Sequence, residues 1–104
     1  MANGLLFDSH GICIACIDSG LIFGTSGKAI GYHLESNSYV DMNGEYLGDT
    51  IGNVFVYNTE SDYVNISAPP MSYNTSIPSF EGAYKQHSCE LREPYINVNK
   101  NRMN

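Results

Sequence analysis

Cys13-Ile14-Ala15-Cys16 is a pair of thiols at metal-knuckle spacing, and His87-Ser88-Cys89 can complete a Cys3His set. A structural zinc held by such a set would staple a small domain. The setting argues otherwise. Zinc knuckles sit on tight, glycine-rich turns, whereas Cys13 and Cys16 lie in an isoleucine-rich run that reads as a strand. In a regular strand, residues i and i+3 point to opposite faces. Buried thiols acting as small apolar side chains are therefore favoured over a metal or redox site. No metal is assigned, and Cys13, Cys16, His87 and Cys89 remain the reserve ligands. Nucleophilic catalysis needs a cysteine, a histidine base and an orienting group within reach of one another. The spacing of the three cysteines and of His10, His33 and His87 shows no such arrangement. A glycine-rich loop entering a helix, a metal-type histidine pair and a serine-nucleophile motif are not seen either. The expectation is a non-enzyme without a cofactor.

The elements that would position these residues come from a phrase written three times. Phe7-Asp8-Ser9-His10-Gly11-Ile12-Cys13-Ile14-Ala15 aligns with Phe23-Gly24-Thr25-Ser26-Gly27-Lys28-Ala29-Ile30-Gly31, and both align with Val40-Asp41-Met42-Asn43-Gly44-Glu45-Tyr46-Leu47-Gly48. A period of 16–17 residues is too short for helix pairs and reads as a β-hairpin repeat. Apolar triplets such as Leu21-Ile22-Phe23 suit a pleated surface. The turn tripeptides end in Gly11, Gly27 and Gly44, the residue that tolerates a left-handed backbone. The return runs put Ile30 and Leu47 inward, with Lys28 and Glu45 outward. A fourth unit is expected at Val54-Phe55-Val56-Tyr57, with a glycine-free turn and a return through Tyr63-Val64-Asn65-Ile66. The alignment places Ala29 and Tyr46 in the Cys13 slot, and Tyr32 and Asp49 in the Cys16 slot. Those are ordinary packing positions.

The phrase Ile22-Phe23-Gly24-Thr25-Ser26-Gly27-Lys28-Ala29-Ile30-Gly31-Tyr32, followed by the copy at 40–48, resembles the four-fold beta-flower family over residues 5–66. That resemblance implies small bacterial proteins with hairpins set around a pseudo-four-fold axis. It implies no activity.

At 104 residues the chain is near the lower limit for one self-sufficient apolar core. The expected division is a hairpin domain over 1–68 and a proline-containing tail over 69–104. Residues 1–68 carry a net charge of −7 and the tail +1. Without a basic stripe, direct nucleic-acid binding is not expected. Phe80, Ala83, Tyr84, His87 and Leu91 recur at helical spacing behind Ser79, which predicts a short helix over 80–92. Its apolar stripe is expected to dock on a hairpin face. The basic, asparagine-rich last ten residues read as a disordered end.

No secretory signal or membrane-length apolar run is seen, so a bacterial or phage-infected cytoplasm is expected. The fold class is mainly β: four short hairpins about a pseudo-symmetric axis, with an extended tail carrying one helix. The function expected is that of a non-catalytic interaction protein (an inhibitor, immunity or accessory factor), itself a homo-oligomer. It would bind a protein partner through acidic, tyrosine-rich faces. The alternative is a binder that sequesters a nucleotide-type small molecule between subunits. Candidate contacts are Tyr32, Tyr46, Asp49, Tyr57, Tyr84, Lys85 and Arg92. Tyrosine supplies contact area at low entropic cost, and the two tail cations could meet phosphates.

Overall fold

The computed structural model describes residues 4–104 and is mainly β. Seven strands run in sequence order: β1 (Leu5–Phe7), β2 (Cys13–Asp18), β3 (Leu21–Gly24), β4 (Ala29–Glu35), β5 (Ser38–Asp41), β6 (Tyr46–Ile51) and β7 (Val54–Asn58). Each pairs antiparallel with the next. An odd number of alternating strands leaves the first and last parallel, so closure of the barrel is a parallel contact. It is made by Phe7 opposite Val54, with the Phe7 amide donating to the Asn53 carbonyl at 2.9 Å. An eighth strand, β8 (Tyr95–Asn97), pairs antiparallel with the far part of β7. No helix among the described residues is long and apolar enough to cross a membrane.

The hairpins β1–β2, β3–β4 and β5–β6 share one turn. Gly11, Gly27 and Gly44 have φ of 82°, 91° and 86°, and each amide donates to the carbonyl three residues back. Each hairpin then carries a bulge. Leu6 faces Ala15 while Phe7 faces Cys13; Ile22 faces Gly31 while Phe23 faces Ala29; Tyr39 faces Gly48 while Val40 faces Tyr46. The extra residues are Ile14, Ile30 and Leu47, and all three enter the core. Leu6, Ile22, Tyr39 and Phe55 supply the matching row from the outgoing strands. The glycine after the second and third bulges has a packing cause: a Cβ on Gly31 would strike the Val40 carbonyl, and one on Gly48 the Val56 carbonyl. This is the close backbone approach that glycine in a strand often marks.

Three expectations are corrected. Residues 63–66 do not return as a strand; Asp62–Asn65 is a 3-10 turn capped by the Ser61 hydroxyl. Ser61 occupies the slot of the turn glycines at φ −63°, so the chain cannot reverse there. In place of that return strand β7 is joined by β8, brought in from the far end of the sequence. Residues 80–92 contain no helix. Gly82 has φ 73°, and beyond the single turn bond from Ala83 to the Phe80 carbonyl the amides of Phe80, Gln86 and Cys89 bond to the hairpin tips. The last ten residues are not a loose end, since Val98 and Met103 are 7% and 3% exposed within the core.

Residues 68–89 instead form a strap across the three hairpin tips. Ala68, Ile77 and Gln86 donate their amides to the carbonyls of Gly44, Gly27 and Gly11, at 2.8, 2.8 and 2.9 Å. Met71, Phe80 and Cys89 donate to Met42, Thr25 and Ser9, at 3.0, 2.9 and 2.8 Å. The strap thus advances nine residues for each hairpin it crosses. Along it only Phe80 is buried, against Phe7 and Cys13.

Candidate functional site

Two adjoining clefts share Tyr57 and Arg102. The first, about 280 Å³, is bordered by Glu45, Tyr63, Val64 and Ile66 in addition. The second, about 330 Å³, adds Leu47, Ile96, Asn97 and Val98. Strand β6 brings in Tyr46 and Leu47, β7 brings Tyr57, the 3-10 turn brings Tyr63 and Val64, and β8 brings Ile96. The 3-10 turn and β8, which replace the expected hairpin return, therefore form much of the walls.

Tyr46 forms part of the first cleft and is only 3% exposed. Its ring lies 5.0 Å from that of Tyr57 at an interplanar angle of 55°. The Tyr46 hydroxyl accepts from the Asn58 amide at 3.1 Å. Burial, and then neighbouring Asp49, push the Tyr46 phenol well above its ordinary value, outweighing the Asn58 bond. It is held neutral and serves as a hydrogen-bonding wall rather than a base. Asp49 accepts from the Ser38 hydroxyl at 2.8 Å. Arg102 closes the shared wall through two bonds, to the Tyr46 carbonyl at 2.8 Å and the Asp41 carboxylate at 2.9 Å. It is part of a second short 3-10 turn, Lys100–Arg102, capped by the Asn99 side chain. The Glu45 side chain makes no hydrogen bond or ion pair among the described residues, and it is exposed.

Of the candidates named from sequence, Tyr46 and Tyr57 come together here, while Asp49 neighbours Tyr46 but borders neither cleft. Tyr32 lies elsewhere: its hydroxyl donates to the Pro69 carbonyl and its ring sits 6.4 Å from Tyr73, fastening the start of the strap. Tyr84, Lys85 and Arg92 are exposed and border neither cleft. Tyr63, which the sequence offers as one more interface tyrosine, also borders the first cleft, whereas Ile96 and Arg102 are not singled out by the sequence. Arg102 is hidden there in a segment that reads as disordered.

The cysteines differ from the regular-strand expectation. The bulge at Ile14 puts Cys13 and Cys16 against one apolar cluster, with Phe7, Leu5, Phe80 and Ile77. Burial raises both thiols above their ordinary range, with Cys16 raising Cys13 further and Asp18 raising Cys16. The strap carries Cys89 to the same hairpin, bonded to Ser9, yet Cys89 is exposed. Among the described residues, no three His, Cys, Asp or Glu side chains form a group able to hold a metal. A third cavity, about 250 Å³, lies beside this cluster and is bordered by Ile12, Cys13, Lys100 and Met103.

No family model, curated protein or solved structure matches this chain.

Proposed function

We infer that this chain is a non-catalytic interaction protein that receives a protein partner on the Tyr57–Tyr63 face. The observation that carries this reading is the apolar rim around the paired clefts. Val64, Ile66 and Ile96 are 36%, 56% and 51% exposed, around tyrosine and arginine side chains. Tyrosine, arginine and exposed aliphatic side chains are the composition of protein-binding patches. Unpartnered apolar side chains clustered in one place are costly to leave in water and mark contact surfaces. In this reading the barrel is a four-fold hairpin array in which β7 and β8 make the fourth unit. The chain self-associates, and it works in the cytoplasm as an inhibitor, immunity or accessory factor.

The test is native mass spectrometry of the protein purified from its natural host, beside a Val64→Asp/Ile66→Asp variant. A protein partner retained by the parent and lost by the variant, with unchanged melting, supports the reading. A partner retained equally by both moves the contact off this face.

A second reading has its own observation. Two clefts meeting at one tyrosine and one arginine offer the volume of a small-ligand site. A nucleotide-type ligand would stack on Tyr57 and place phosphate at Arg102, in place of Lys85 and Arg92. A retained small molecule in the same experiment favours it.

A further inference from the structure

We propose that the paired clefts take a basic, apolar segment of the partner. One cationic side chain enters the Glu45–Tyr57–Tyr63 cleft, and a neighbouring aliphatic side chain enters the Leu47–Ile96–Val98 cleft. This rests on the protein-binding reading above and names the chemistry of the partner.

The sign of the charge decides the occupant. Among the described residues, Arg102 is the only cation bordering either cleft, and its guanidinium is already engaged by the Asp41 carboxylate at 2.9 Å. That pair cancels, which leaves the unpaired Glu45 carboxylate to set the field of the first cleft. Glu60, just before the capping Ser61, and Asp62, the first residue of the same 3-10 turn, are both exposed and add to it. A cation beside tyrosine faces gains from the ring quadrupole, and more so with a carboxylate at hand. The second cleft has no free charge, and Leu47 and Val98 in its wall are 1% and 7% exposed. It suits an aliphatic side chain. Tyr57 lies between the two, so both subsites are within reach of adjacent residues on one extended segment. The formal charge of −6 draws a basic partner toward the molecule before contact.

Defined probes test this on the full chain: acetyl-arginyl-leucine amide, acetyl-glutamyl-leucine amide and adenosine monophosphate, each titrated while tyrosine-ring and isoleucine-methyl NMR signals are followed. The arginyl probe is expected to shift Tyr57, Tyr63 and Ile96 together, and the glutamyl probe to leave them still. Glu45→Gln is expected to weaken the arginyl probe about two- to five-fold, the range of one exposed ion pair. Added salt is expected to weaken it further.

Shifts from the nucleotide at Tyr57, with none from the arginyl probe, would replace the basic segment with an anionic ligand. Arginyl shifts scattered over the acidic surface and insensitive to Glu45→Gln would overturn the site. Silence from all three probes overturns the inference as well. A host partner lost on Val64→Asp/Ile66→Asp would still stand as support for the broader reading.

Discussion

At the scale of single residues, two kinds of glycine are present, and they differ in a measurable way. Gly20 has φ 79° and open space around it, whereas Gly27 and Gly44 combine a positive φ with a strap carbonyl where a Cβ would go. Gly20→Ala should cost only the left-handed backbone penalty, about 1 kcal/mol. Gly27→Ala and Gly44→Ala must also displace the carbonyls of Ile77 and Ala68, and should cost about 2–4 kcal/mol. Equal melting shifts for all three would remove the strap as the reason for these glycines. Tyr46 gives a pH signature. Its phenol is raised by burial, so the folded state keeps the proton where the unfolded chain releases it. The stability it contributes is whole below about pH 10 and is lost as pH rises toward the folded value. Tyr46→Phe should flatten the fall in melting temperature above about pH 10. It should also cost about 1 kcal/mol at neutral pH, because the Asn58 amide loses its acceptor.

The elements differ in how openly they are written. The three hairpins are legible in the sequence because a left-handed turn residue and an inward aliphatic leave few choices of side chain, so Gly11, Gly27 and Gly44 betray the period. The strap is not legible, because its six amide bonds can be made by almost any residue. Its one trace is the spacing of Ala68, Ile77 and Gln86, and of Met71, Phe80 and Cys89. The apolar residues of 80–92 recur at helical spacing by coincidence; Phe80 is a single anchor, while Tyr84 is 42% exposed. Part of the candidate site is equally hidden: Tyr63 is legible as an interface tyrosine, but Ile96 reaches the site only because Ser61 fails to reverse the chain and β8 takes the place of the return strand. A segment with few buried contacts opens locally at low free energy. Phe80→Ala should therefore release the middle of the strap and lower global stability by only about 1–2 kcal/mol, less than a fixed core phenylalanine costs. In a Cys89→Ser background, Cys13 should then react several-fold faster with a thiol reagent. Unchanged labelling would mean that Phe80 does not guard Cys13.

On the scale of the whole molecule, the C-terminal third belongs to the body at its far end more than along its length. Residues 95–104 add β8 to β7, set Val98 and Met103 into the core and tie Arg102 to Asp41. The 3-10 turn at 62–65 and the start of the strap hold the near end. Between them, residues 81–85 are exposed, and the Lys85 side chain makes no hydrogen bond or ion pair among the described residues. A brief trypsin treatment should make its first cut in this part of the chain, after Lys85 or after the equally exposed Arg92, while Arg102 is protected by its bonds. Because both ends stay packed, the two fragments should co-elute at the mass of the uncut protein by light scattering and separate only in denaturant. Truncation after Ala68 is the contrasting case. The shortened chain loses two core side chains, the β8 pairing to β7 and the cover over Phe7 and Cys13, so it should aggregate or fail to fold. A truncated chain that stays soluble with the parent's melting temperature and mass would mean that the barrel closes without its C-terminal third. Cut fragments that part in buffer would mean that the covalent strap, rather than the packing of Val98 and Met103, keeps β8 in place.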